Sequence, residues 1–436
     1  MANSYLNRTG TTGTADYKMT YSAWFKRGNL GSGKELFCIY KTNSNRLFLR
    51  NNGDTFELQI SGQSNSTTRV FRDVSAWYHL VIAVDTTQAT QSDRIKWYVN
   101  GEQISDGGST IGQNTSLPHY SSGANYYIGN GEYNSAVYSN YWDGYMSHVA
   151  FVDGSALAPT VFGQTDSTSG IWKFKSPTGV TWGNNGFHLK FENSGNLGLD
   201  SSGQTNNFTV NGNLKQAVDN PSNVYATMNP LYKWDNVMNY SDANTSLTGT
   251  GSNWQGSIAT LGVSAGKWYY EAKFTSATSL DNWYIGFNGL DDYNTSAPYR
   301  NGVKFYNYDG GEIYVGDTGT NGSTSANYGT FSNGDIIGIA LDYDNETISV
   351  YKNGSAIVTN YDYGSQTYSS TIKDGKTISP CVSHYGTGTI SFNFGNGFFG
   401  TTAITSAGSN GNGSLFEYDV PSGFYALNTK NINTYG

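Results

Sequence analysis

Asn-Gly pairs stand at positions 52–53, 100–101, 211–212, 333–334 and 353–354, and most of them close a short run of aromatic and β-branched residues. Asn and Gly both tolerate the positive φ of a tight hairpin turn, so each pair marks a place where a strand reverses. The runs read as strands: MTYSAWFKR (19–27), RLFLR (46–50), TFELQI (55–60), WYHLVIAVD (77–85) and RIKWYVNG (94–101). Short strands of this kind, bounded by turn residues throughout, indicate an all-β sandwich or barrel. Composition agrees, with 54 Gly, 15% aromatic residues and only 13% charged ones. Such a chain is too aromatic to stay disordered and too poor in Ala, Leu, Glu and Lys to build helical bundles. No helix longer than about two turns is expected; the best candidate is ALAPTVFG (156–163), where Pro159 suits a first turn.

All-β domains run to about 200–250 residues, so a chain of 436 residues divides best into two. An internal echo supports that division. HLVIAVDTTQATQSDRIKWYVNGEQI (79–104) and DIIGIALDYDNETISVYKNGSAI (335–357) share one plan. Each is an apolar strand ending in Asp (Asp85, Asp342), a polar loop, a second strand, then Tyr-X-Asn-Gly. Both halves are therefore expected to hold two adjacent antiparallel strands with a tight turn after the second. The expected fold is two tandem β-sandwiches joined by a polar linker. The expected boundaries are a first domain at 1–215, a connector at 216–249 around Pro221 and Pro230, a second sandwich at 250–405, and a tail at 406–436 packing on a sandwich.

Particular blocks carry a resemblance. SAWFKRG, WYHLVIAVD, IKWYVNGEQI and YWDGYMSHVAFVDGSALAP make residues 1–215 resemble laminin-G-like (concanavalin A-like) jelly rolls. GKWYYEAKF (266–274), WYIGF (283–287), GDIIGIALDYDNETISVYKNG (334–354) and ISPCVS (378–383) resemble, in that order and spacing, a SPRY domain. FHLKFENSGNLGLDSSGQTNNFTVNG (187–212), DNPSNVYATMNPL (219–231) and YDVPSGFYALNTKNI (418–432) are similar to segments in virion proteins of tailed phages, marine ones in particular. This resemblance implies a structural or receptor-binding virion protein, made in the host bacterial cytoplasm and displayed on the virion surface. Its implied partners are other virion proteins, sister copies in a homo-oligomer (trimers being common among phage adhesins), and a host surface polysaccharide or outer-membrane protein. The alternative it leaves open is a capsid decoration or tail-assembly protein with no receptor role.

Charge and cysteine usage exclude other classes. Net charge is −8 (25 basic against 33 acidic residues) with no basic block, so nucleic acid is not an expected partner. No apolar run of about 18 residues occurs, so no membrane insertion is expected, and MANSYLNRTGTTG lacks the apolar core of a secretory signal. Cys38 and Cys381 lie in apolar stretches and read as buried free thiols.

Catalysis in a concanavalin A-like sandwich would need two carboxylates about 5–5.5 Å apart, which a Glu-X-Asp-X-X-Glu pattern on one strand face supplies. No such cluster occurs: Glu132, Glu192 and Glu271 stand without acidic neighbours, and the adjacent Asp291 and Asp292 would face opposite ways on a strand. The five histidines (His79, His119, His148, His188, His384) lack metal-ligand spacing. Asp143 and Asp153, each followed by Gly, read as turn residues before Ca²⁺ ligands. No catalytic residue, metal or cofactor is expected, and a polysaccharide-degrading enzyme is the outlying alternative.

Binding is the better expectation. Segment 120–145 is dense in Tyr among small polar residues, and 293–314 and 361–368 are further concentrations. Tyr offers a flat face and a hydroxyl at low entropic cost, which suits sugar rings and protein interfaces. The expected ligand-binding residues are Tyr133, Tyr138, Tyr141, Trp142, Tyr293, Tyr299, Tyr361 and Tyr363. The competing reading is that such tyrosines fill the core or contact a sister subunit. The SPRY resemblance directs attention to the loops near 288–302 and 359–370.

Overall fold

The computed structural model describes residues 4–28, 30–137, 139–234, 238–277, 282–290, 301–308, 310–317, 322–325, 327–370 and 372–436. They divide into two compact units, residues 1–216 and 217–436.

The first unit is a sandwich of two antiparallel sheets. One has eight strands, in the order Asp106–Ser109, Gln63–Thr67, Thr55–Ile60, Asn45–Asn52, Glu35–Thr42, Asn125–Ile128, Tyr5–Thr9 and Thr209–Asn211. The other has six, in the order Phe187–Leu189, Gly144–Asp153, Lys18–Arg27, Trp77–Asp85, Ile95–Val99 and Glu102–Ile104. Side chains alternate across a strand. Thus Phe37, Ile39, Leu47, Leu49, Phe56, Leu58 and Ile60 enter the core, while Cys38, Tyr40 and Phe48 join a separate cluster on the outer face. The strand Trp77–Asp85 is buried along its whole length. Segment 154–182 accounts for this: its Phe162 and Trp182 pack on Val81, Ala150 and Val152, closing the outer face of the six-stranded sheet. Pro159 opens a short 3-10 turn, Pro159–Val161, within that segment.

The second unit is built around one long strand, Ile378–Asn393. Ser246–Ala259 pairs along one edge of it. On the other edge its first part pairs with Trp283–Gly289 and its last part with Lys267–Ala277, so one strand serves two layers. Trp268, Tyr270, Phe274, Trp283, Phe287, Ile339 and Phe392 form the core between them. The stretch 216–249 is not the connector its prolines and polar clusters implied. Met228–Trp234, Met238–Ser241 and the start of Ser246–Ala259 are paired strands of this unit, which therefore begins at residue 217. Tyr425–Ala426 pairs parallel with Trp268–Tyr269, and the helix Thr429–Tyr435 follows, capped by the Asn428 side chain.

The echo reappears in three dimensions. Leu80–Val84 pairs with Ile95–Val99, as Ile337–Asp342 pairs with Thr347–Lys352. Both turns after the second strand have positive φ at Asn and Gly: 51° and 84° at Asn100 and Gly101, 49° and 79° at Asn353 and Gly354. In each, the Asn side chain accepts a backbone N–H of the first strand, from His79 and from Ile336, both at 2.9 Å. The aspartates match as well: Asp85 is paired with Lys18 at 3.1 Å and Asp342 with Lys267 at 2.7 Å, each lysine opposite its aspartate in the neighbouring strand. Both units are thus β-sandwiches that carry the same hairpin plan.

Candidate functional site

The outer face of the eight-stranded sheet gathers the groups best suited to binding. Register aligns Tyr127, Cys38, Phe48 and Gln59 in one row across four strands, and Arg50 with Glu35 and Glu57 in another. A two-stranded hairpin, Glu132–Tyr133 paired with Ala136–Val137, turns through Asn134 and Ser135 at φ 51° and 57°. Asn134 is tied to Asn43, and the Ser135 N–H donates to the Tyr40 hydroxyl at 3.1 Å. These ties set Tyr133 above the sheet, its ring centroid 4.3 Å from the Arg46 guanidinium carbon. Arg46 also lies 4.9 Å from the Phe48 centroid, and its Nη2 donates to Gln59 at 3.4 Å. Arg50 lies 4.6 Å from the same Phe48 ring, with its charge met by Glu57 at 2.9 Å.

The carboxyl groups of this face are engaged. Glu132 accepts from the Tyr127 hydroxyl at 2.5 Å and from Asn125 at 3.1 Å. Glu57 accepts from Ser64 as well as Arg50. Glu35 is buried, and burial pushes its carboxyl up to about 7 against the pull of Asn140, Arg50 and Arg46. Burial likewise raises the thiols of Cys38 and Cys381, the latter to about 11; both are free.

The residues singled out in the sequence are dispersed. Tyr133 and Tyr141 are half-buried on this face, with Tyr141 6.1 Å from Tyr5. Trp142, expected among the ligand-binding residues, is instead in the core, 6% exposed and edge-on to Phe25 at 5.7 Å. Tyr363 is corrected too: it is fully buried among the core residues of the second unit. Tyr361 is half-buried against that same core. Alternation along Ser355–Asp362 and the turn after it decide which of these rings points inward, and the polar residues around them do not report it. Tyr138, Tyr293 and Tyr299 lie outside the described residues, as do Asp291 and Asp292.

A second aromatic surface draws on residues not singled out. Tyr284 and Tyr306 are register partners stacked at 3.9 Å, and Tyr308 continues the stack at 5.3 Å. Trp254 lies 5.5 Å from Tyr284 and 6.0 Å from Tyr385. Tyr308 and Tyr385 are 48% and 43% exposed. Tyr306 and Tyr308 fall in the tyrosine-rich stretch 293–314, but Trp254 and Tyr385 belong to distant strands. Strand alternation offered the missing signal, since Tyr284 sits between the core residues Trp283 and Ile285.

Two constellations have the residue types of reactive sites. Ser22 Oγ lies 2.9 Å from His79 Nε2, while the Trp172 indole N–H donates to His79 Nδ1 at 2.9 Å. An indole only donates, so Nδ1 is unprotonated and Nε2 carries the proton toward Ser22. His79 therefore cannot take the Ser22 proton, and burial keeps it neutral by lowering its pKa to about 3. Asp153 is buried and accepts from His119 Nε2 at 3.2 Å and from the N–H groups of Thr14 and Asn185. Burial opposes its ionisation, yet these donors hold its pKa below the ordinary value. Among the described residues no group of three or more His, Cys, Asp or Glu is placed to hold a metal ion.

Comparison with known proteins follows the two units. Residues 2–161 match the Laminin_G_3 model, of the concanavalin A-like lectin/glucanases superfamily, and residues 267–397 match the SPRY domain model. No curated protein matches the chain. Among solved structures, the SPRY domain of human HERC1 is 18% identical, covering 38% of this chain and 96% of that one, with a TM-score of 0.29. A heptameric SAP-like pentraxin from Limulus polyphemus is 18% identical over 36% of this chain and 71% of its own, with a TM-score of 0.28. Domains LG4-5 of the mouse laminin alpha1 chain are 8% identical over 89% and 86%, with a TM-score of 0.30. The chain carries a laminin-G-like, concanavalin A-like domain followed by a SPRY domain.

Proposed function

We propose that this is a non-enzymatic structural protein of a tailed-phage virion, displayed at the particle surface as a tail fibre, spike or tip component. In this role it adheres to a host surface glycan or outer-membrane protein. The observation that carries the adhesive reading is the outer face of the eight-stranded sheet, where a fixed hairpin holds Tyr133 half-buried over Arg46 of the strand below. Rigid aromatic and guanidinium groups fixed in advance lose little entropy on binding. The phage context rests on the three segments similar to virion proteins. Glu132 and Glu57 of this face are committed to Tyr127, Asn125, Arg50 and Ser64, Glu35 is buried and bonded to Asn140, and His79 has the wrong tautomer to activate Ser22, which supports binding rather than hydrolysis.

The decisive experiment labels the purified protein and measures saturable binding to host cells and competition with phage adsorption. Binding that blocks adsorption, and that Tyr133→Ala weakens, upholds the reading; a folded protein that neither binds nor competes overturns it. A second reading, assembly within the virion as a decoration or tail protein and as a homo-oligomer, is favoured by the other aromatic surface. The Tyr284, Tyr306 and Tyr308 rings use their faces on one another, which leaves less of them to stack on a sugar and suits a flat protein contact better. Under this reading Tyr308→Ala and Tyr385→Ala impair particle assembly or self-association while leaving cell binding intact.

A further inference from the structure

The outer face of the eight-stranded sheet holds a cation whose position is fixed but which makes no ion pair among the described residues. Arg46 lies over Phe48 and Tyr133, and its hydrogen-bond partner is the neutral Gln59. Among the described residues no carboxylate lies within ion-pair distance of it. Its neighbour Arg50 is paired with Glu57, Glu132 is taken up by Tyr127 and Asn125, and the buried Glu35, which Arg46 reaches electrostatically, is bonded to Asn140 and makes no ion pair with it. A guanidinium held against aromatic rings keeps its N–H edge for a planar acceptor, and that fork fits carboxylate or phosphate oxygens. Beside it stand Tyr133, half-exposed, and the polar Gln59.

We propose that Arg46 and Tyr133 form a subsite for the acidic group of a glycan, a carboxylate or phosphate borne on a sugar, with Arg46 receiving the anion and Tyr133 flanking the ring. This inference rests on the adhesive reading and names the ligand class for the same face. The acidic character of the ligand comes from a guanidinium without an ion pair, since a neutral sugar would leave it so.

The test uses the full chain and three immobilised polymers: polygalacturonate, a polyglycerol phosphate, and uncharged dextran. Binding to at least one acidic polymer, weakened by raised salt and absent on dextran, is expected, and the preferred polymer tells carboxylate from phosphate. Arg46→Gln should lower that affinity tenfold or more and Arg46→Lys by less, with melting temperatures unchanged. Tyr133→Ala, on an outlying hairpin, provides a second variant with the same direction. Equal binding to dextran, no binding to either acidic polymer, or an Arg46→Gln protein with full affinity would overturn the proposal. Wild-type protein that binds host cells as well as its Arg46→Gln variant does removes the subsite and leaves adhesion standing. Arg46-dependent polymer binding without any cell binding does the reverse.

Discussion

Glu271 is fully buried in the middle of a strand, yet it accepts the backbone N–H groups of Glu417 and Tyr418 at 2.8 and 2.9 Å, the Asn393 amide at 3.3 Å and the Tyr269 hydroxyl at 3.3 Å. Burial outweighs these donors and pushes its carboxyl up to about 7. One side chain thereby fastens segment 405–420 to the sandwich. Removing it leaves several buried donors without an acceptor, each costing about 1–3 kcal/mol. Glu271→Ala should lower the melting temperature and open proteolytic sites between residues 405 and 420, and cleavage unchanged from wild type would remove this role. The folded pKa lies above the unfolded one, so the stability linked to Glu271 is full below about pH 4.5 and declines as pH rises through 7. Gly163 makes a comparable point by size alone. A Cβ there would fall 2.4 Å from the Trp172 ring, so Gly163→Ala should displace that ring from His79 at a cost of about 1–3 kcal/mol, read as a shifted Trp emission and a lower melting temperature.

At the scale of elements, segment 154–182 is held to its sheet by three histidine–aromatic contacts. Trp172 stacks on His79 at 6.0 Å, Phe174 on His148 at 3.5 Å and Trp182 on His188 at 5.9 Å. Burial depresses all three histidines, to about 3, 4 and 4, with Lys190 adding to the effect at His148 and His188 and Asp200 opposing it at His188. A folded pKa below the unfolded value of about 6.5 means that stability is complete above pH 6.5 and falls as pH drops toward 4. For His79 alone the loss at pH 4 is on the order of 3 kcal/mol. Proteolysis at Lys173 or Lys175 should therefore accelerate between pH 6.5 and 4 before the rest of the unit unfolds, and uniform resistance over that range would contradict the argument. His148→Phe, which keeps the stack and cannot titrate, should narrow the response.

For the whole molecule, the informative boundary is residue 217. A fragment of residues 217–436 retains every partner of the strand Ile378–Asn393, whereas one starting at 250 loses Met238–Ser241 and the first residues of Ser246–Ala259. Unpaired strand edges invite association. The longer fragment should melt cooperatively and stay monodisperse, and the shorter one should aggregate; equal behaviour would show that 217–249 is the dispensable connector its composition resembles.

What the sequence determined by itself is local. Asn-Gly turns, alternating strands and the repeated Asp-to-Asn-Gly plan follow from φ preferences and a two-residue period, and they sufficed for the all-β class and two units, while the concanavalin A-like nature came from the resemblance of particular blocks. Tertiary structure alone decided which surfaces remain open. Trp142 and Tyr363 sit among small polar residues like Tyr133, but other strands and segments close over them. Arg46, Phe48 and Tyr133 meet only because the hairpin at 132–137 folds back over strands some 90 residues earlier in the chain. Burial is a property of what packs from elsewhere in the chain, and a short-range pattern carries no record of it.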